Sequence, residues 1–401
     1  MKRLLMLGGG HAHVHVLATM ARERFAATEV TLVTPFLRQM YSGMVPGVVA
    51  GHYLAEQAAI QLAPLASGAG AQLVENMAVS LDAARRLVRL ADGRTLGYDV
   101  LSVDTGAVMD RGRIPGARAH ALFVRPIEHF LADVEDLLDA AAQRAQDVVV
   151  IGGGAAGVEL ALALQFRLTA LGGHDGDAGR VALVLGGQRP LAGYPEAVIR
   201  RAEAALQRAR VTQFRDGVVE VRADAVVLAG GARVACDVPV VVTGAEAPAW
   251  VAGSGLALDG AGFIVTGPTL QSGSHPEVFA AGDVASRIDA PHAKSGVYAV
   301  RAGPPLAANL RAWCMAGEAA TPRLQRHMPQ ARTLNLVSCG ARRAIASWGA
   351  WSAEGRWAWW WKNHIDRAFI ARYANPRLAT APVAGRPVPE GVQPSTTPRV
   401  G

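Results

Sequence analysis

Apolar and polar positions repeat one design twice along the chain. Leu4–Leu7 is a short apolar run that leads into Gly8-Gly9-Gly10, and apolar residues then recur at Val14, Leu17, Ala21 and Phe25. That spacing is helical. It predicts a helix from His11 to Phe25, followed by a strand at Glu29–Thr34. The second copy runs through Asp147-Val148-Val149-Val150-Ile151, the glycine cluster Gly152–Gly157, a helix to about Leu171 and a strand at Val181–Leu185. Both read strand, glycine turn, helix, strand, which is the βαβ unit of a parallel doubly wound sheet. The offset between the copies, about 144 residues, is that of two domains and not of a solenoid. Each copy is followed by a strand–turn–strand pattern. The first is Arg85–Leu90 and Arg94–Ser102 around Ala91-Asp92-Gly93, and the second is Val218–Val221, Ala225–Ala229 and Val234–Val242. Beyond Gly244 come short strands, a helix over about Lys294 to Cys314, a strand pair at Arg332–Val337 and Ala344–Trp348, and a tryptophan-rich helix at Gly355–Tyr373.

Composition narrows the class. A chain of 401 residues predicts two or three domains, and 51% hydrophobic against 18% charged residues excludes a disordered one. Six prolines from Pro376 onward predict a disordered tail over 376–401. The start Met1–Leu7 imitates a signal peptide, but its apolar run stops at Gly8 without a cleavage site. The longest apolar stretch, Val148 to Leu164, carries Glu159 and the glycine cluster, so no membrane span is expected. Three widely spaced cysteines, Cys236, Cys314 and Cys339, offer neither a disulfide framework nor a CxxC pair, and a reducing cytoplasm is the expected compartment. The net charge of +7 is scattered, with no basic run, which argues against nucleic acid as a partner.

The glycine clusters carry the chemistry. In Gly152-x-Gly154-x-x-Gly157 the first glycine permits a tight turn, the second lets backbone approach a pyrophosphate, and the third allows close helix–strand packing. The phosphates then meet the amide donors of the helix N-terminus. The first copy keeps Gly8 and Gly10 but has His13 in the third position, so helix and strand are expected to sit slightly farther apart. The acid that binds the adenosine ribose at the end of the second strand is replaced by Thr34 in the first copy, and by the region of Gly186, Gln188 and Arg189 in the second. Its loss removes a charged hydrogen bond worth roughly 1.5–3 kcal/mol. Arg189 either meets a 2′-phosphate or is a solvated surface arginine. His11, His13 and His15 have no Cys or carboxylate beside them to complete a ligand set. His11 is therefore assigned to the phosphates, and no metal is expected. Pro276–Asp283 reads as a short strand ending in Gly282-Asp283, whose carboxylate suits ribitol hydroxyls. Strands ending in Thr105-Gly106 and Thr243-Gly244 read as crossings between domains.

In this order the motifs resemble the two-dinucleotide-binding-domain flavoproteins, the superfamily of pyridine nucleotide-disulfide oxidoreductases, type II NADH dehydrogenases and sulfide:quinone oxidoreductases. Gly8–Val14, Tyr41–Gly47 and Lys294–Arg301 look like one subfamily, found alone or fused ahead of selenide, water dikinase. The resemblance implies an α/β fold of two interleaved Rossmann-like three-layer domains plus a small α+β C-terminal domain. Their expected bounds are 1–118 with 246–320 for FAD, 119–245 for NAD(P)H, and 321–375. It implies FAD on Gly8, Gly10, His11, Thr34, Thr105, Gly106, Gly282 and Asp283, and NAD(P)H on Gly152, Gly154 and Gly157. Glu159 and Lys294 would be the catalytic side chains at the flavin. The implied reaction is hydride transfer from NAD(P)H to flavin, then electron release to a quinone or other small acceptor. A sulfur- or selenium-directed oxidoreductase and a non-catalytic nucleotide-binding protein are the alternatives. The CxxxxC of disulfide reductases is absent, and Lys294 and Tyr298 stand where type II dehydrogenases carry two quinone-site glutamines. Trp348, Trp351, Trp357, Trp359, Trp360 and Trp361 crowd the C-terminal region beside Arg356, Lys362, Arg367 and Arg372. They fit a peripheral helix on the inner membrane face or a helix packed over the flavin domain, and both readings stay open.

Overall fold

The computed structural model describes residues 1–172, 179–317 and 321–374; the tail from Pro376, for which disorder is expected, lies outside them. Two five-stranded parallel sheets form the body of the chain. In the first the order is Val278–Ala280, Val100–Val103, Lys2–Leu7, Thr28–Thr34, Gln72–Glu75. In the second it is Leu122–Phe123, Val238–Val241, Val148–Ile151, Val181–Val184, Thr212–Phe214. In each, the strand before the glycine turn is central and buried at its end, as parallel sheets covered on both faces require. The glycine turns open the helices His11–Met20 and Ala155–Leu171.

The strand–turn–strand stretches prove to be three-stranded antiparallel sheets, Ala78–Asp82, Leu87–Leu90, Thr95–Gly97 and Val218–Val221, Ala225–Leu228, Arg233–Ala235. The expected single strands Arg94–Ser102 and Val234–Val242 each divide in two, because an aspartate turns the chain into the parallel sheet. Asp99 accepts the Arg3 amide at 2.7 Å and pairs with its guanidinium. Asp237 accepts the Asp147 amide at 2.8 Å and pairs with Arg144. The same latch, built twice, starts each central strand against its returning neighbour. Past the return strands the two crossing segments meet as an antiparallel bridge, Val108 with Glu246.

Other boundaries shift for local reasons. The first helix ends at Met20, not Phe25, since the amides of Arg22 and Glu23 both turn back to Thr19 O; Phe25 is nonetheless buried. The helix expected from Lys294 starts at Gly296 and runs to Met315, leaving Lys294 before its cap. It crosses the first helix closely at Gly303, where a Cβ would lie 2.7 Å from His15 Cβ. At the C-terminal end a third strand, Trp351–Gly355, joins Leu334–Ser338 and Ala344–Trp348 in an antiparallel sheet. The helix Arg356–Ala374 follows directly. Among the described residues no helix is long and apolar enough to cross a membrane.

Candidate active site

At the carboxyl edge of the first sheet, three strand ends converge on one buried carboxyl. Asp104, just past Val103, accepts the helix amides of Ala12 and His13 at 2.8 and 3.0 Å. A Cβ on Gly10 would lie 2.3 Å from its Cγ, and one on Gly282 2.5 Å from its Oδ1. A Cβ on Gly8 would lie 2.5 Å from the Asp104 carbonyl oxygen. Glycine at all three positions is therefore demanded by Asp104 itself. Burial pushes the Asp104 carboxyl up to about 8, against the pull of its two amide donors. His13, in the third-glycine position, spans the gap between turn and strand: its Nδ1–H donates to Gly8 O at 2.6 Å, and its Nε2 accepts from Ser102 Oγ at 2.7 Å.

Asp104 takes two of the four amides that a helix leaves unpaired at its start, and those of Gly10 and His11 have no hydrogen-bond partner among the described residues. The His11 ring is buried against Tyr41 and Phe369, which stack on each other at 4.5 Å. Gln39 donates to its Nδ1 at 2.9 Å, which puts the proton on Nε2. That Nε2–H is buried without a partner among the described residues. Asp283 pairs with Arg125 at 3.0 Å, and Arg125 also donates to Ala107 O in the crossing. Thr105 is exposed beside Gly106 (φ +75°). Thr34 is buried, and its hydroxyl donates to Phe36 O within its own loop.

The second glycine turn has the same topology, with Gly157 where the first has His13. Val242 stands in the place of Asp104, so no strand-end carboxyl of that kind is present at this turn. Gly152 and Gly157 are internal necessities, since a Cβ on them would lie 2.7 Å from Val242 O and 1.8 Å from Gly152 O. A Cβ on Gly154 would meet nothing within 4 Å. The protein itself places no demand for glycine there.

The two side chains expected to be catalytic face different surroundings. The part-buried Lys294 donates to Ala285 O and lies 3.7 Å from the centre of the Phe263 ring. Burial lowers its pKa while Asp283 and Asp259 support its charge. Glu159, on the second helix, accepts the Ser338 amide at 2.7 Å, and burial raises its pKa against the opposing charge of Lys362. Lys362 is not an interfacial cation: it is buried, donates to Gly43 O and pairs with Asp366 at 2.7 Å. Asp366 in turn accepts the Tyr41 hydroxyl. Trp359 is buried, whereas Trp348, Trp351, Trp357, Trp360 and Trp361 are exposed. Sequence reasoning missed Asp104, Gln39, Arg125 and Asp366, none of which stands in a motif of its own. The short polar break Asp104-Thr105-Gly106 after an apolar strand was the one available signal.

Two like sheets, each presenting a glycine turn at the carboxyl edge of its central strand, define a protein that binds two dinucleotides. The family model for pyridine nucleotide-disulphide oxidoreductases matches residues 2–303, and the chain belongs to that family. It is 29% identical over 307 residues to the probable ferredoxin reductase CtmF of Castellaniella defragrans, covering 71% of this chain and 68% of that one. It is 35% identical over 214 residues to the ferredoxin–NAD(+) reductase component of the biphenyl dioxygenase system of Paraburkholderia xenovorans, covering 51% of this chain and 48% of that one. The chain thus spans about half to two thirds of the length of these relatives. The sulfide:quinone oxidoreductase of Aquifex aeolicus shares the fold at a TM-score of 0.78 and 18% identity, covering 95% of this chain and 93% of that one. The class is that of FAD-dependent NAD(P)H oxidoreductases. The residues present fit both cofactors, through the unpartnered His11 Nε2–H at the first turn and the open cradle at Gly154 in the second.

The two turns answer differently to a side chain. Gly154→Val should fold, keep its FAD and lose reduction by NAD(P)H, because only the ligand's approach is blocked. Gly10→Ala should lose FAD and stability together, as its methyl group meets Asp104. Visible spectra and thermal melts of both variants check this, and wild-type reduction rates in Gly154→Val would remove the coenzyme from that turn.

Stability should also depend on pH in two opposed ways. Burial lowers His11, His13 and His15 from 6.5 to about 4, so their contribution is present above 6.5 and lost as pH falls toward 4. Asp104 is raised from 3.8 to about 8, so its contribution is present below 3.8 and lost as pH rises through 8. Asp104→Asn should flatten the alkaline arm and leave the acid arm in place, as read from denaturation midpoints between pH 4 and 9.

Proposed function

We propose that this protein carries electrons from NAD(P)H, held on Gly152, Gly154 and Gly157, through FAD, held on Gly8, Gly10, His11, Thr105, Gly106, Gly282 and Asp283, to an electron-carrier protein such as a ferredoxin. Thr34 stands by its position beside the adenosine ribose of the flavin nucleotide. The division of labour follows the sheets: 1–118 with 246–320 for FAD, 119–245 for the coenzyme, and 321–375 as a cover. The observation that carries the reading is the pair of like turns of which one alone, at Gly154, is left open by the protein. The carrier as partner is supported by relatives that are themselves named ferredoxin reductases.

When bound, FAD accepts a hydride from the coenzyme and releases electrons to the acceptor. The protein's part is orientation and charge. The Gly10 and His11 amides and the His11 Nε2–H are donors for an anionic or carbonyl-bearing ligand. Arg125 pairs with Asp283, and Lys294 lies close enough to feel its charge; positive charge there would stabilise negative charge on a reduced cofactor. Glu159, whose pKa burial raises against the charge of Lys362, accepts the Ser338 amide, and Tyr41, Asp366 and Lys362 form a hydrogen-bonded line packed against the His11 ring.

A quinone is the second reading, favoured by the exposed tryptophans of the C-terminal helix and sheet, which suit peripheral contact with a lipid surface. Sulfur- or selenium-directed chemistry gains no such support. Burial pushes the thiols of Cys236, Cys314 and Cys339 up to about 12, and the nucleophile such chemistry needs is a thiolate.

Purified protein should be yellow, and one equivalent of NADH should bleach the visible band anaerobically. A [2Fe–2S] ferredoxin should then restore the band faster than a short-chain ubiquinone does. The reverse order selects the quinone, and a band that NADH leaves untouched sinks the enzyme reading. Lys294→Met should retain FAD and lower its reduction potential, measured by dye equilibration. An unchanged potential confines Lys294 to its structural contacts with Ala285 and Phe263.

A further inference from the structure

The loop after Val181–Val184 lies where a doubly wound domain meets the adenosine ribose of its coenzyme. Gly186 and Gly187 (φ +64° and +80°) carry the chain round, and the Leu191 amide donates to Gly153 O at 2.8 Å, which ties this loop to the second glycine turn. The loop has no acid to grip a ribose diol. Asp216, past the neighbouring strand, is engaged by the amides of Gly217 and Gly230. What the loop does carry is Arg189, whose guanidinium is held through all three nitrogens by two carboxylates. Its Nε and Nη2 donate to the two oxygens of Glu203 at 2.9 and 2.7 Å, and its Nη1 donates to both oxygens of Glu196 at 2.9 and 3.1 Å.

Both carboxylates belong to the helix Glu196–Arg208. Glu203 also takes Arg215 at 3.1 Å, and Glu196 has Arg200 at 3.7 Å. Three guanidiniums thus share two carboxylates, with a net charge of +1. A 2′-phosphate is the group for which such a cluster has the right sign and forked donors. To bind, it would have to take Arg189 from two carboxylates and then lie beside them. A ribose hydroxyl meets neither obstacle.

Resting on the assignment of the coenzyme to Gly152–Gly157, we infer that Glu196 and Glu203 are specificity-determining residues: by clamping Arg189 they make the site take NADH in preference to NADPH. They act through Arg189 and are positioning residues for it. Replacing both by glutamine keeps the side-chain shape, raises the cluster from +1 to +3 and frees the forks for a phosphate.

The test is the anaerobic reductive half-reaction of the holoenzyme, followed at the visible flavin band over a range of NADH and NADPH concentrations. It separates coenzyme Kd from the limiting reduction rate. Wild type should show the lower Kd for NADH. Glu196→Gln/Glu203→Gln should lower the Kd for NADPH roughly tenfold or more, the size of one charge-assisted hydrogen bond regained, with the limiting rate little changed. Adding Arg189→Ala should abolish that gain. Glu196→Gln alone, at the more exposed carboxylate, should move the Kd ratio the same way by less, and it keeps the test open if the double variant folds poorly. Equal wild-type Kd values, or a ratio the glutamines leave unmoved, overturn the clamp and leave the coenzyme site standing. A flavin that neither coenzyme bleaches overturns the coenzyme assignment, and this inference with it.

Discussion

The buried carboxyl of Asp104 organises the first nucleotide site. One side chain receives two amides of the helix His11–Met20, fills the space that forces glycine at positions 10 and 282, and lies at the end of the strand Val100–Val103. Burial penalises its charged form more than the two amide donors support it, which is why its pKa rises to about 8. The second site, built on the same topology, has Val242 instead, and no side-chain carboxyl bonds to the amides of its helix start among the described residues. The glycine pattern is shared by the two sites but is enforced differently: Asp104 crowds Gly8, Gly10 and Gly282 in the first, whereas in the second backbone carbonyls crowd Gly152 and Gly157 and leave Gly154 open.

The fold was legible because its signals are local. Val148-Val149-Val150-Ile151 before a glycine cluster, and the apolar spacing of the helix to Leu171, needed no partner to be read. The division of Arg94–Ser102 was not legible. Asp99 turns the chain only because Arg3, far away in sequence, supplies the amide it accepts. The strand Trp351–Gly355 was hidden in the same way by the aromatic run that follows it.

The site was legible to the extent that it consists of backbone. Gly152, Gly154 and Gly157 announce themselves through what they lack, and the open space beside Gly154 is what a dinucleotide turn implies. Side chains that act through a distant partner were not visible. His13 reads as a defect in the glycine motif, yet it is a hydrogen-bonded spacer between Gly8 and Ser102. Lys362 reads as one more cation beside tryptophans, yet it is buried against Asp366 and Gly43 O. Arg189 offered two readings, and neither foresaw its partners: the part-exposed guanidinium is held by Glu203 and Glu196 on a helix farther along the chain.

The paired latches at Asp99 and Asp237 have a further consequence. Each return strand is anchored at its own first residues, so the small antiparallel sheet that precedes it is not needed to set the strand's register. Gly93 and Gly231, at the tips of those sheets, adopt positive φ with open space around them. The two hairpins are therefore the natural places to splice in foreign sequence, such as an affinity tag, a fluorophore site or an electrode tether, while the register of both nucleotide-facing edges is preserved.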